Sequence, residues 1–342
     1  MKKTFLTLAS VAMMSLPMQA QAADKIQIVG SSTVYPFVTV AAEEFGNSTD
    51  FSTPIVESTG TGGGFKLFCA GIGEAHPDIS NASRAIKKSE EELCAKNGVK
   101  DITEVKIGFD GIVLANSKKA DRYNLSKEQI FLALAKKVPS GGKLIDNPNQ
   151  NWSDVDPSLP KVKIEVYGPP TTSGTRDAFA ELVMEPSCKD MPEFKAAHPD
   201  KKARKKTCHL LREDGRYIEA GENDNLIVQK LQSNPKALGI FGFGFLDQNT
   251  DTVQGSVIAG KEPTFDNISD GSYGISRSLY VYVKNGHVGK TAGLQEFAVE
   301  LIGDEATGEY GYLTEKGLIP LPTAELETMQ GRVSALTETA SN

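Results

Sequence analysis

The chain is poor in several residue types on which protein chemistry often rests. It has four cysteines, four histidines and one tryptophan in 342 residues. His76, His198, His209 and His287 are scattered, and no two cysteines have Cys-x-x-Cys spacing, which argues against zinc or another metal centre. The chain has no Gly-x-Ser-x-Gly elbow, no Walker A pattern and no Rossmann fingerprint in register. An enzyme of the usual nucleophile-and-base or two-metal kind is therefore not expected. Positive charge is in deficit. Lys and Arg number 37 against 44 Asp and Glu, a net charge of −7, which argues against nucleic acid as the main partner. Beyond the N-terminus no apolar run approaches the roughly 18 residues that suggest a membrane span. No repeat of fixed period is visible.

What is present begins with an export signal. Lys2 and Lys3 precede an apolar stretch at residues 6–16, and Ala20-Gln21-Ala22 offers a small-x-small cleavage site. Residues 1–22 are expected to be a signal peptide, followed by a periplasmic protein. Removing the two lysines takes the net charge from −7 to −9. Enough chain remains for two lobes, each with its own core. In an oxidising compartment four cysteines suggest two disulfides. Three pairings are possible; the local one, Cys69–Cys94 and Cys188–Cys208, closes the shortest loops and is the one expected.

Apolar alternation and cap signals predict an α/β chain with mostly parallel sheets. Strands are expected at 25–29, 53–57, 78–84, 105–115, 162–167, 238–243, 253–258 and 279–283. Helices are expected at 35–45, 65–69, 88–96, 130–137 after a Ser126/Gln129 capping box, 177–184, 225–232, 292–302 and 324–337. Residues 143–160 read as loop. The apolar runs 110–115 and 279–283 are taken as crossings between lobes. Lobe I then comprises 23–110 plus 284–342, and lobe II comprises 111–283. Residues 185–217 form a basic, disulfide-tied insertion in lobe II.

Three strand-to-helix junctions share one device: Gly30-Ser-Ser-Thr33, Gly60-Thr-Gly-Gly-Gly64 and Thr172-Ser-Gly-Thr175. Each is rich in hydroxyls and glycine and opens a helix. A helix N-terminus offers unpaired N–H groups and the positive end of the dipole, and glycine lets an anion approach the backbone. In open α/β sheets ligands bind beyond the carboxyl ends of the strands, where these loops lie. Together they suggest a clamp for a small oxyanion. Arg176 follows the third junction, and Arg84 ends a strand-like run; its alternative is an ion pair with Glu90 or Glu91. Asp78 or Asp110 is a further candidate to face the anion, against a structural ion pair for each.

The stretches Gly30–Pro36, Gly60–Phe65, Ser173–Thr175 and Ala237–Phe243, taken in order, resemble the periplasmic phosphate-binding proteins of high-affinity phosphate ABC importers, the PstS-like family. The resemblance implies a two-lobed periplasmic binding protein of type II, with each lobe a central mixed sheet flanked by helices and the ligand in the interlobe cleft. It implies capture of inorganic phosphate for membrane permease subunits of an ABC importer, by a monomer with no cofactor and no catalysis. Matched by position, Thr33, Val34, Thr61, Ser173, Gly174 and Thr175 fall in its ligand set; Ser32, Gly62, Arg84 and Arg176 complete the set expected in this chain. Two positions depart from the best-known enterobacterial pattern. Arg84 stands where that pattern has an aspartate, and Pro169 where it has an arginine, so Arg176 is the expected substitute. The alternatives are another tetrahedral oxyanion (sulfate, phosphonate or arsenate) or a secreted phosphatase.

Overall fold

A computed structural model describes residues 25–221 and 224–336. The expected signal peptide lies outside the described residues. The strands are β1 (Gln27–Gly30), β2 (Ile55–Ser58), β3 (Ile79–Ala82), β4 (Ile102–Ser117), β5 (Val166–Gly168), β6 (Tyr217–Glu219), β7 (Leu238–Gly242), β8 (Val253–Gly255) and β9 (Ser276–Lys284). The helices are α1 (Tyr35–Ser48), α2 (Thr61–Phe68), α3 (Lys88–Lys96), α4 (Gly174–Phe179) and α5 (Lys201–Cys208).

The strands join in the order β2-β1-β3-β9-β4-β7-β5-β6, with β8 also paired to β4. β4 is 16 residues long and serves two lobes. Its first half pairs with β9, alongside β3, β1 and β2. Its second half pairs antiparallel with β7 and β8, alongside β5 and β6. Between the halves Gly108 adopts φ +154, and a Cβ there would come within 2.6 Å of the Ile319 carbonyl oxygen. Glycine is thus required where the strand bends and Phe109 bonds Ile319 in both directions.

The expected second crossing at 279–283 needs correction. Leu279–Val283 pairs with β3 and with β4 in the first lobe, so the chain returns near Ile275, and β9 belongs to lobe I rather than to 111–283. Both crossings lie side by side where Ser276 faces Gly111.

Local patterning accounts for much of the rest. In α1 the buried residues Val38, Ala41, Ala42 and Phe45 follow i, i+3, i+4, i+7 spacing and face the core. Gln129 N–H donates to Ser126 Oγ at 3.1 Å, and Ser126 N–H to Gln129 Oε1 at 2.8 Å, completing the expected capping box. The stretch 143–160 is more ordered than expected. Lys143–Asp146 pairs with Lys137–Ser140 across Gly141 and Gly142, both at positive φ, and Trp152–Val155 is a short helix. Both predicted disulfides are present, Cys69–Cys94 and Cys188–Cys208. No helix among the described residues is long and apolar enough to cross a membrane.

Candidate functional site

The first junction turns at Gly30, whose φ of +140 and contact with Asn81 leave no room for a side chain. Ser31 N–H bonds the Asn81 carbonyl at 3.1 Å, and Thr33 N–H bonds Ser31 Oγ at 3.2 Å. Val34 then precedes α1 with no side-chain cap.

The second junction differs from expectation in a useful way. The helix begins at Thr61, not Phe65, so Gly62, Gly63 and Gly64 are its first turn. Gly60, at φ +72, sets the start and also supplies no capping side chain. A Cβ on Gly64 would lie 2.6 Å from the Gly30 Cα, so glycine lets this helix lie directly on β1. Thr61 Oγ1 accepts from Ser83 N–H at 3.2 Å and sits 3.1 Å from Ser83 Oγ.

The third junction opens α4 at Gly174, with Ser173 before it and again no side-chain capping bond. None of the three helices has a side-chain cap, unlike α5, capped by Asp200, or the helix capped by Ser126; in α1, however, Tyr35 N–H bonds the Ser31 carbonyl at 2.9 Å and Pro36 has no N–H.

The first and third junctions touch across the lobes. A Cβ on Gly174 would stand 3.3 Å from the Ser32 carbonyl oxygen and 3.5 Å from the Thr33 Cα. Ser32 Oγ donates to Asp177 Oδ2 at 3.0 Å. Thr33 and Ser173 are buried, as are Ser31 and Ser83.

Arg84 is engaged elsewhere. Its guanidinium grips Glu90 at 2.8 and 2.7 Å and bonds the Ala85 carbonyl at 3.0 Å. Burial pushes the Glu90 carboxyl up, but Arg84 and the Lys87 N–H more than offset this and hold it below its ordinary value. Ser83, not Arg84, is the residue of that run bonded to Thr61. Arg176 lies with its guanidinium carbon 4.4 Å from the Tyr217 ring centroid, and its buried Nη1 has no hydrogen-bond partner. It borders a cavity of about 420 Å³ with Thr171, Asp177, His209 and Glu219. Tyr217 donates to the Pro169 carbonyl at 2.6 Å, and burial pushes its hydroxyl up to about 12.

The arginine brought to the first junction is one that the sequence reading missed. Arg277, at the start of β9, donates to Thr33 Oγ1 at 2.5 Å, to Asp110 Oδ2 at 3.3 Å and to Glu181 Oε2 at 2.8 Å. It joins lobe I, the crossing strand and lobe II. In the sequence it lies between Ser276 and Ser278, just before the apolar run 279–283, and nothing local singles it out. Glu181 sits in a π-helical turn, Ala180–Met184, that continues α4. Burial pushes Asp110 up, partly opposed by Arg277. Burial also pushes Glu181 up, but Arg277 and Lys205 override it, leaving the carboxyl below its ordinary value. Two carboxylates therefore balance the one guanidinium, so this cluster carries no excess positive charge. Asp78 is not at the site. It accepts from Gln27 N–H and Thr291 and lies 2.7 Å from His287 Nδ1, inside lobe I. Among the described residues no group of three His, Cys, Asp or Glu could hold a metal ion.

Two lobes on a shared strand, closing over uncapped helix N-termini, define a solute-binding protein of the type II periplasmic class. A PBP superfamily domain matches residues 17–305. The chain is 31% identical to the phosphate-binding protein PstS of Staphylococcus saprophyticus, over 89% of this chain and 82% of that protein. It is 29% identical to protein SphX of Synechococcus elongatus, over 93% and 84%. Among solved structures, a possible phosphate-binding protein from Planctomyces limnophilus shares 27% identity with a TM-score of 0.74, covering 92% of this chain and 99% of that one. An ABC-type phosphate transport receptor from Vibrio cholerae shares the fold at a TM-score of 0.58 and 21% identity, covering 87% and 100%. The chain belongs to the PBP superfamily and, within it, to the PstS family of phosphate-binding proteins.

Proposed function

We propose that this protein captures inorganic phosphate between its lobes and hands it, unchanged, to the permease subunits of an ABC importer. The observation that carries the reading is the contact of the first and third junctions across the lobes, with the second packed on the first strand at Gly30, where three helices begin without side-chain caps. The names of its relatives supply the ligand. In this reading the Val34, Gly62 and Gly174 N–H groups and the hydroxyls of Ser32, Thr33, Thr61, Ser173 and Thr175 surround the anion. Arg277 presents one guanidinium edge at Thr33, and Ser83 supports Thr61. Arg176 contributes through the positive first turn of α4, and Arg84 through the shape of lobe I. Secretion, a periplasmic location and a monomeric state belong to the same proposal, as does the absence of turnover. Calorimetric titration of the purified protein with phosphate, arsenate, sulfate and a phosphonate tests it. One phosphate per chain, bound at least tenfold more tightly than sulfate, is expected. Equal affinity for sulfate would move the assignment to another oxyanion, and hydrolysis of a phosphate ester that is lost on mutating Thr33 would make it an enzyme.

A further inference from the structure

The basic stretch at 185–217 takes no part in the clamp, yet the structure ties it to the clamp's helix. α5 carries Lys201, Lys202, Arg204, Lys205 and Lys206, in a protein whose net charge is −7. The Cys188–Cys208 disulfide joins the last residue of α5 to the end of the helical run that α4 begins. The contacts also fix the direction of α5. A His209 ring nitrogen lies 3.1 Å from Glu185, and Lys205 Nζ lies 3.1 Å from Glu185 and 3.4 Å from Glu181. One turn back along α5 matches one turn back along the partner helix, so the two run in the same direction. A further turn leads from Lys205 to Lys201 and from Glu181 to Asp177, which bonds Ser32 of the clamp. That register directs the start of α5 toward the cleft. Lys201 and Lys202 at that start, and Lys206 further along α5 beside Lys205, are exposed. Arg204 is held by the carbonyls of His198 and Pro199, and Asp200 is committed to the Ala203 N–H.

We propose that α5 is an electrostatic guide that draws the anion to the cleft. The inference rests on the reading that the ligand is phosphate. An acidic protein repels an anion at long range, whereas a local basic patch within about a Debye length (~8 Å at physiological ionic strength) reverses the field at the entrance. The three exposed lysines belong to none of the clamp's junctions, so they act on arrival and not on retention.

The test is stopped-flow association of inorganic phosphate, read by intrinsic fluorescence, at low and high salt. The variant is Lys201→Glu, Lys202→Glu, Lys206→Glu, which leaves Lys205 and its ion pairs in place. Lys161→Glu, Lys163→Glu, Lys236→Glu is the charge-matched control: those lysines sit before β5 and β7, at the far ends of the strands from the clamp. The α5 variant is expected to lose about five- to tenfold in association rate at low salt, within the range known for steering. Its dissociation rate and melting temperature should stay at wild-type values, and the difference should fade at high salt. The control should change the association rate less than twofold. Equal rates in the α5 variant and the wild type, an equal loss in the control, or a loss confined to dissociation would overturn the guide. A wild-type protein that does not bind phosphate at all would overturn the ligand reading itself.

Discussion

Replacing Arg277 by alanine tests the clamp through a residue with three measurable bonds. The side chain donates to Thr33, Asp110 and Glu181. Each charge-assisted bond lost from a buried position is worth about 1.5–3 kcal/mol. The Glu181 pair counts for less, because that carboxylate is 40% exposed and screened by solvent. Asp110 is 15% exposed and would be left buried without its cation, a situation that costs about 3–5 kcal/mol. The variant should thus melt well below wild type at pH 7. Protonation relieves an unpaired buried carboxylate, so the deficit should narrow as pH falls towards 5. Phosphate affinity should fall at least tenfold, because Thr33 loses its partner and the lobes lose the Arg277–Glu181 tie. Thermal melts at pH 5 and pH 7, with calorimetry at pH 7, measure both effects. Arg277→Lys should recover part of the stability but little of the affinity, because one ammonium cannot reach three acceptors in a fork. Unchanged affinity in Arg277→Ala would remove Arg277 from the clamp.

Other expectations follow from the same contacts. Arg84→Ala should leave phosphate affinity within about twofold while costing about 1 kcal/mol of stability in urea unfolding, since the Glu90 pair is partly exposed; a tenfold affinity loss would return Arg84 to the ligand set. Gly174→Val should weaken phosphate binding at least tenfold with little change in melting temperature, because its side chain would press on Ser32 only when the lobes close; wild-type affinity would show that this contact is not part of the bound form. Replacing both Cys69 and Cys94 by alanine should cost about 2–4 kcal/mol in urea unfolding, the usual range for a disulfide-closed loop of this size. Lys284 is fully buried, with its ammonium bonded to the Gly71 carbonyl, and burial pushes its pKa down to about 8. Between that value and the unfolded value near 10.5 the unfolded chain binds more protons, so wild-type stability should gain an increment with rising pH that Lys284→Met lacks; identical pH slopes in the two proteins would contradict this.

The fold was legible where patterning is local. The spacing of Val38, Ala41, Ala42 and Phe45, the Ser126 capping box and the three Ser/Thr/Gly junctions each follow from a few neighbouring residues. The second crossing was not legible, because β9 is as apolar as a hinge strand would be and only its pairing with β3 and β4 assigns its lobe. The helix of Gly62–Gly64 was missed because low helix propensity argues against it, while close contact with Gly30 demands it. Arg84 and Arg277 illustrate the same limit at the site. Arg84 stood beside a matched motif, yet its carboxylate partner six residues on holds it in lobe I. Arg277 joins groups far apart in the chain, Thr33, Asp110 and Glu181, and no local pattern reports such a contact.

The position of the anion can be read most directly by crystallising the protein with arsenate and locating the arsenic by anomalous scattering. A single peak within hydrogen-bond reach of the first turns of α1, α2 and α4, touching groups from both lobes, is the result expected. A peak in the cavity beside Arg176 and Tyr217, or one held by a single lobe, would contradict the clamp.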